Sequence, residues 1–140
     1  MSDRPPEPVG LYEPFTRLGP VVFVSAISSA RDGQLITGKV GADIDFAHAQ
    51  AAATRAAENL LSVIVDAAER DPSRIKKILL LRGYVNATED FAQVHKVVDA
   101  ASEFLIEKLG EKGRHARTSL GCATLPNGNT VTLEAVVLLK

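Results

Sequence analysis

Between Val21 and Leu109 the apolar residues switch between a period of two and a period of three to four, twice over, which commits the chain to a sheet with helices laid on it. From about Phe46 to Arg70, Ala49, Ala53, Ala56, Leu60, Val63 and Ala67 recur at steps of four and three, the spacing of one helix face. His48, Arg55, Glu58, Asp66 and Glu69 mostly point elsewhere. Asp45 is placed to cap this helix and "DPS" to end it. Its alanine-rich face lets the helix lie close on a sheet. "RIKKILLLRGYVNA", residues 74 to 87, follows as a strand whose centre, Ile78 to Leu81, is apolar on both faces, as in a strand covered on both sides. A second helix, about Glu89 to Leu109, carries Phe91, Val94, Val98, Ala101 and Leu105 on one face, and Gly110 stops it.

Strands flank this unit. "VVFVSAI", Val21 to Ile27, is one; Asp32-Gly33 then stands between two extended runs, the dipeptide suited to a tight hairpin, so the first two core strands are expected to pair antiparallel. Two strands close the chain, about Ala116 to Leu125 and Thr130 to Leu139, with "PNGN" as the expected hairpin turn between them. The expected order is β, β, a short β, α, β, α, β, β: an α+β fold with one mixed sheet and both helices on one face. Residues 1–140 read as a single domain, with 1–8 an extended tail because "MSDRPPEPVG" holds three prolines and a glycine. In the last strand Val131, Leu133, Ala135, Val137 and Leu139 share one face, and Val136 and Leu138 make the other partly apolar as well. Two helices cannot cover both faces, so a second copy of the sheet is the expected cover.

Composition excludes several classes. With 46% hydrophobic and 24% charged residues the chain can bury a core. Sixteen basic residues are offset by seventeen acidic ones, which leaves no electrostatic footprint for nucleic acid. No apolar run reaches membrane-spanning length. A single cysteine, Cys122, and the absence of a leader-like start suit a reducing, cytoplasmic setting. Phosphate loops, nucleophile elbows and paired His or Cys at metal spacing are absent, and His48, His95 and His115 are far apart in sequence, so no metal is expected. Cys122 reads as a small buried thiol on the strand face opposite Arg117.

The residue out of place is Arg117, a guanidinium within the strand signal "ARTSLGCATLP". If the last two strands form a hairpin, Arg117 and Glu134 sit on adjacent strands, possible neighbours on the face awaiting a second copy. Two readings stay open: an interfacial ion pair that specifies assembly, or an arginine fork offered to a substrate carboxylate with Glu134 holding or activating a water.

At these residues the sequence resembles the Rid family of reactive-intermediate deaminases, the YjgF-type proteins. "ARTSLGCATLP" is similar to the family's A-R-[ST] element and Leu-Pro turn, and "TLEAVVL" to its terminal strand. "VGLYEPF", "FVSAIS" and "GYVNATEDFAQV" resemble its early Gly-x-Tyr segment, its second strand and its passage into the second helix. The resemblance spans Val9 to Leu139. It implies a chorismate-mutase-like fold, assembled as a homotrimer with clefts between subunits. It further implies hydrolysis of 2-imino or enamino acids to 2-keto acids and ammonia, as in 2-iminobutanoate/2-iminopropanoate deaminases, with no cofactor. On this carry-over Arg117 binds the substrate carboxylate, Glu134 is associated with the water, Tyr12 lines the cleft and Ser119 lies beside the ligand. Two departures fall in the same site: Ser25-Ala26-Ile27 replaces a Ser-Gly pair, and Asp99 stands where many members carry asparagine. "EKGRHAR" resembles a divergent branch. The competing readings are a non-catalytic trimer that binds small carboxylates or a protein partner, and, ranked last, the family's older endoribonuclease or translation-inhibitor label, which five Phe, two Tyr and no Trp support poorly.

Overall fold

The computed structural model describes residues 6–140. The first five residues of the expected 1–8 tail lie outside the described residues. Five strands and two helices follow in the order β1 (Phe15–Leu18), β2 (Val21–Ile27), α1 (Phe46–Ala67), β3 (Ile75–Asn86), α2 (Val94–Leu109), β4 (Ala116–Cys122) and β5 (Val131–Leu139), with short 3-10 turns ahead of β3, β4 and β5. They form one mixed sheet of strand order β1-β2-β5-β3-β4 with both helices on one side. The α+β architecture is therefore the one the alternating periods imply.

Helix α1 starts where its cap puts it: the Asp45 carboxylate accepts from the His48 backbone N–H at 2.9 Å, satisfying one of the free donors of the first turn. The alanines at 49, 52, 53, 56 and 57 are buried and bring the helix close to the sheet, where Leu60, Val63 and Ile64 fill the space against Val22, Val24 and the inward face of β5. Helix α2 begins at Val94, five residues after the expected Glu89. The Thr88 hydroxyl donates to Asp90 at 2.7 Å and the Phe91 N–H to the Thr88 carbonyl at 3.1 Å, so local polar partners hold residues 88–91 in a turn. Gly110 ends α2 at φ 64°, in the left-handed region. Beneath α2, Gly83 of β3 leaves room for Val98: a Cβ there would lie 2.6 Å from Val98 Cγ2.

Two strand pairings differ from expectation. The Asp32-Gly33 turn forms, with Arg31 and Gln34 exchanging backbone bonds of 2.8 and 2.9 Å, but the run after it is no strand and meets the sheet through isolated bridges at Thr37 and Val40 and single bonds such as Lys39 to Asn86. The antiparallel partners of β2 are β1, a short strand absent from the sequence reading, and β5. At the other end, β4 and β5 do not form a hairpin. β4 runs parallel to β3 at the sheet edge, and β5 inserts between β2 and β3, antiparallel to both. The reason is burial: β5 is apolar along most of both faces and belongs in the middle of the sheet, whereas β4, with alternate residues exposed, tolerates an edge. "PNGN" makes a 3-10 turn instead, with Asn127 at φ 58° and Gly128 at φ 70°, and Gly128 accepts a bond from Gly38.

The helix-free face of the sheet is bare. Leu18, Phe23 and Leu120 are 78%, 48% and 50% exposed on it. Val21, Val136, Leu138 and Leu80 lie among them by register.

Candidate active site

Arg117 does not meet Glu134. β3 lies between their strands, and register sets the two side chains on opposite faces: Arg117 is level with Leu81 and Ala135, which point to the helices, while Glu134 is level with Arg82. The adjacent-strand geometry expected from the sequence is thus wrong, because the hairpin behind it does not form.

What Arg117 meets is helix α2. Its Nη1 donates to Asp99 Oδ1 at 2.8 Å and to Ser102 Oγ at 3.1 Å, and Nη2 donates to the His95 carbonyl at 3.3 Å. The three partners recur at steps of four and three, one stripe of the helix, and the arginine side chain is 23% exposed beside a half-exposed Asp99. Ser119, two residues along β4, shares this face; its hydroxyl is buried and has no hydrogen-bond partner among the described residues. Two residues the other way, His115 is half-buried, with Nδ1 2.6 Å from the Gly113 carbonyl and Nε2 2.9 Å from Ser102 Oγ. Burial, and secondarily the cations Arg117 and Lys77, hold its pKa below the ordinary imidazole value, against the opposing pull of the Gly113 bond. Ser102 was not among the expected site residues, and His115 entered only as one of three histidines far apart in sequence, although the 95–99–102 spacing and the alternation 115–117–119 point to both.

Glu134 sits on the bare face, where the Tyr84 hydroxyl donates to its Oε1 and Arg82 Nη1 approaches the same oxygen at 3.4 Å. That bond to the carboxylate, with desolvation and the nearby negative charge, raises the Tyr84 pKa. Tyr12, Ser25 and Ala26 gather elsewhere. They line a cavity of about 150 Å³ with Pro14, Ser28 and Thr132. The Ser25 hydroxyl donates to the Glu13 carbonyl at 2.6 Å, and Ala26 is exposed where the β2–β5 register shifts. Thr132, two residues before Glu134 on β5, is the side chain that β5 presents to this cavity.

The expected site residues therefore form separate groups. Arg117, Asp99 and Ser119 belong to the β4 edge; Tyr12, Ser25 and Ala26 belong to the β2 side, and three inter-strand steps of the sheet, about 14 Å, separate the two strands. His95 contributes its backbone, His48 pairs with Asp45 at the start of α1, and Cys122 is partly buried on the face opposite Arg117. Among the described residues no group of three or more His, Cys, Asp or Glu is placed to hold a metal ion, and no helix is long and apolar enough to cross a membrane.

Comparison with known proteins fits this geometry. Residues 6–138 match the family model described as "YjgF/chorismate mutase-like, putative endoribonuclease". Protein TCP17 of Trypanosoma cruzi is 36% identical over 109 residues, 77% of this chain and 68% of that protein. Among solved structures, a protein of unknown function from Agrobacterium tumefaciens superposes with a TM-score of 0.91 at 37% identity, over 95% of this chain and 85% of its own. One from Shewanella oneidensis, described as a "putative endoribonuclease", superposes at 0.92 with 28% identity, over 97% and 90%. With the match running almost end to end and the sheet order and helix placement in agreement, the chain belongs to the YjgF/chorismate-mutase-like family.

Proposed function

We propose that this protein hydrolyses small 2-imino or enamino acids to 2-keto acids and ammonia, in clefts formed between copies of a homotrimer. The observation that carries the reading is the division of the site: a guanidinium on the helix side of the β4 edge, a small cavity with hydroxyl groups at the β2 side, and a helix-free face of the sheet that needs a partner. A keto acid or imino acid of a few carbons cannot span 14 Å within one chain (about three strand spacings), but a neighbouring copy that covers the bare face and reaches round the exposed β4 edge can bring its cavity to Arg117.

The chemistry asks little of the protein. Arg117 presents a planar fork to the substrate carboxylate, which takes the place beside the guanidinium that the Asp99 carboxylate holds. The imine carbon is already electrophilic. Water adds to it, the nitrogen takes up a proton to give a carbinolamine, and collapse to the C=O bond expels ammonia. Holding carboxylate and water in register supplies the gain in effective concentration. Glu134 faces the bare side of the sheet, so a water it holds would be presented to a neighbour's cleft. The unpartnered Ser119 hydroxyl stands beside Arg117 as a donor for the substrate.

One observation favours a second reading. Arg117 already has three protein partners and Glu134 has two, so the groups are satisfied without ligand, as in a trimer that only binds carboxylates or a protein partner. The endoribonuclease label carried by relatives has the least behind it here, since a net charge of −1 offers no footprint for RNA. The deciding experiment generates an imino acid in place with an amino-acid oxidase and follows its disappearance with and without the protein. Acceleration proportional to protein supports the deaminase; unchanged decay with measurable keto-acid binding supports the second reading.

A further inference from the structure

The hydrogen bonds around His115 fix its chemistry. A carbonyl can only accept, so the 2.6 Å contact to Gly113 puts the proton of the neutral ring on Nδ1 and leaves Nε2 as a lone pair. Nε2 then takes the Ser102 proton across 2.9 Å, and the Ser102 oxygen, its proton so directed, turns a lone pair to Arg117 Nη1 at 3.1 Å. The chain Gly113, His115, Ser102, Arg117 has one consistent direction of donation only while the imidazole is neutral. When the ring is protonated, Nε2 becomes a donor, and the Ser102 proton loses its acceptor beside a second cation.

We propose that Ser102 and His115 act as a proton-linked positioning pair for Arg117, which holds the guanidinium ready for a carboxylate when His115 is neutral and loosens it when His115 is protonated. The inference rests on the reading of Arg117 as a carboxylate anchor but concerns its control. The hydrogen bonds between His115 and Arg117 run through Ser102. The charged groups around the ring bear on the balance: Arg117 from β4, Lys77 from β3, and Asp99 from α2 beyond Ser102, while the turn before β4 contributes the Gly113 carbonyl. Two cations against one carboxylate favour the neutral ring, and the half-buried setting does the same.

The test begins on the unaltered protein, so it does not depend on a variant folding. Nitrogen-detected NMR follows the Arg117 side chain and the His115 ring through an acid titration, with 2-oxobutanoate as the carboxylate probe for binding at each pH. The expected result is one shared midpoint for both residues, and a loss of 2-oxobutanoate affinity of about tenfold on the acid side, the size of one charge-assisted contact. In Ser102→Ala the Arg117 signal should stop following His115, and in His115→Gln the acid loss of affinity should shrink to less than about twofold, since no ring titrates. An Arg117 signal that ignores His115, or that follows it equally well in Ser102→Ala, overturns the proposal. Should imine hydrolysis be absent while Arg117 still follows His115 through Ser102, the pair stands and only the deaminase reading fails.

Discussion

Replacing Arg117 separates an anchor from a structural strut. Arg117→Ala removes donors to Asp99 at 2.8 Å, Ser102 at 3.1 Å and the His95 carbonyl at 3.3 Å. Asp99 is half-exposed, so water rehydrates its carboxylate and screens the lost charge; the expected cost to folding is about 1–2 kcal/mol, well below that of breaking a buried ion pair. Arg117→Lys keeps the charge and one contact to Asp99 or Ser102, so it should cost less than about 1 kcal/mol. Activity should behave differently. A lysine cannot make the two-pronged contact with a carboxylate, and losing one charge-assisted bond in the transition state, about 1.5–3 kcal/mol, lowers kcat/KM roughly 10- to 150-fold. Urea unfolding gives the first number, and imine hydrolysis per assembled protein, with assembly checked by light scattering, gives the second. Arg117→Lys that hydrolyses imines within a factor of about two of the unaltered protein refutes the anchor, because a shared charge would then suffice.

Three further outcomes follow from separate parts of the fold. Phe23→Glu puts a carboxylate on the bare sheet face and should shift the protein to monomers at micromolar concentration with its helical circular dichroism intact; an unaltered oligomer in light scattering would show that another surface makes the contact. Gly83→Ala drives a methyl group against Val98 under α2 and should destabilise by about 1–3 kcal/mol in urea, a cost that Val98→Ala in the same chain should largely relieve. Because folding lowers the pKa of His115, the unfolded chain takes up its proton first as pH falls below 6.5, so the contribution of His115 to stability is complete above that value and is lost as pH falls toward the folded one; unfolding of His115→Gln should depend less on pH across that acid range.

Local signals were strong where one element decides its own structure. The Asp45 cap, the α1 stripe, Gly110 as a stop and the Asp32-Gly33 turn all stand where their residues put them. Pairing was less legible, since a turn dipeptide specifies how the chain reverses and not which strand it returns to. "PNGN" and the burial of β5 conflicted, and burial prevailed: a strand with apolar residues on both faces gains more in the middle of the sheet than beside its chain neighbour. That one error misplaced Glu134 relative to Arg117. The resemblance carried over Arg117 as a motif residue; the 95–99–102 spacing marks a stripe of α2, but that Arg117 meets this stripe depends on how far the helix lies along β4. Thr132, between strand pattern and cavity, was invisible for the same reason.

The division of the site across the sheet makes a prediction that no single-chain site would share. If each cleft takes Arg117 from one copy and the Tyr12 cavity from the next, then Arg117→Lys and Tyr12→Ala trimers are each inactive for a different half of the same cleft. Mixing equal amounts, dissociating and reassembling distributes the two variants at random. A cleft then works when its arginine comes from a Tyr12→Ala copy and its cavity from an Arg117→Lys copy, which random assembly gives about one time in four. About a quarter of the unaltered activity should return, and only after subunits exchange; mixing intact trimers should return none. Were Arg117 and Tyr12 to serve one ligand within a single chain, no arrangement of the two variants would contain an undamaged site, and activity would stay at the background of either parent however thoroughly they were mixed.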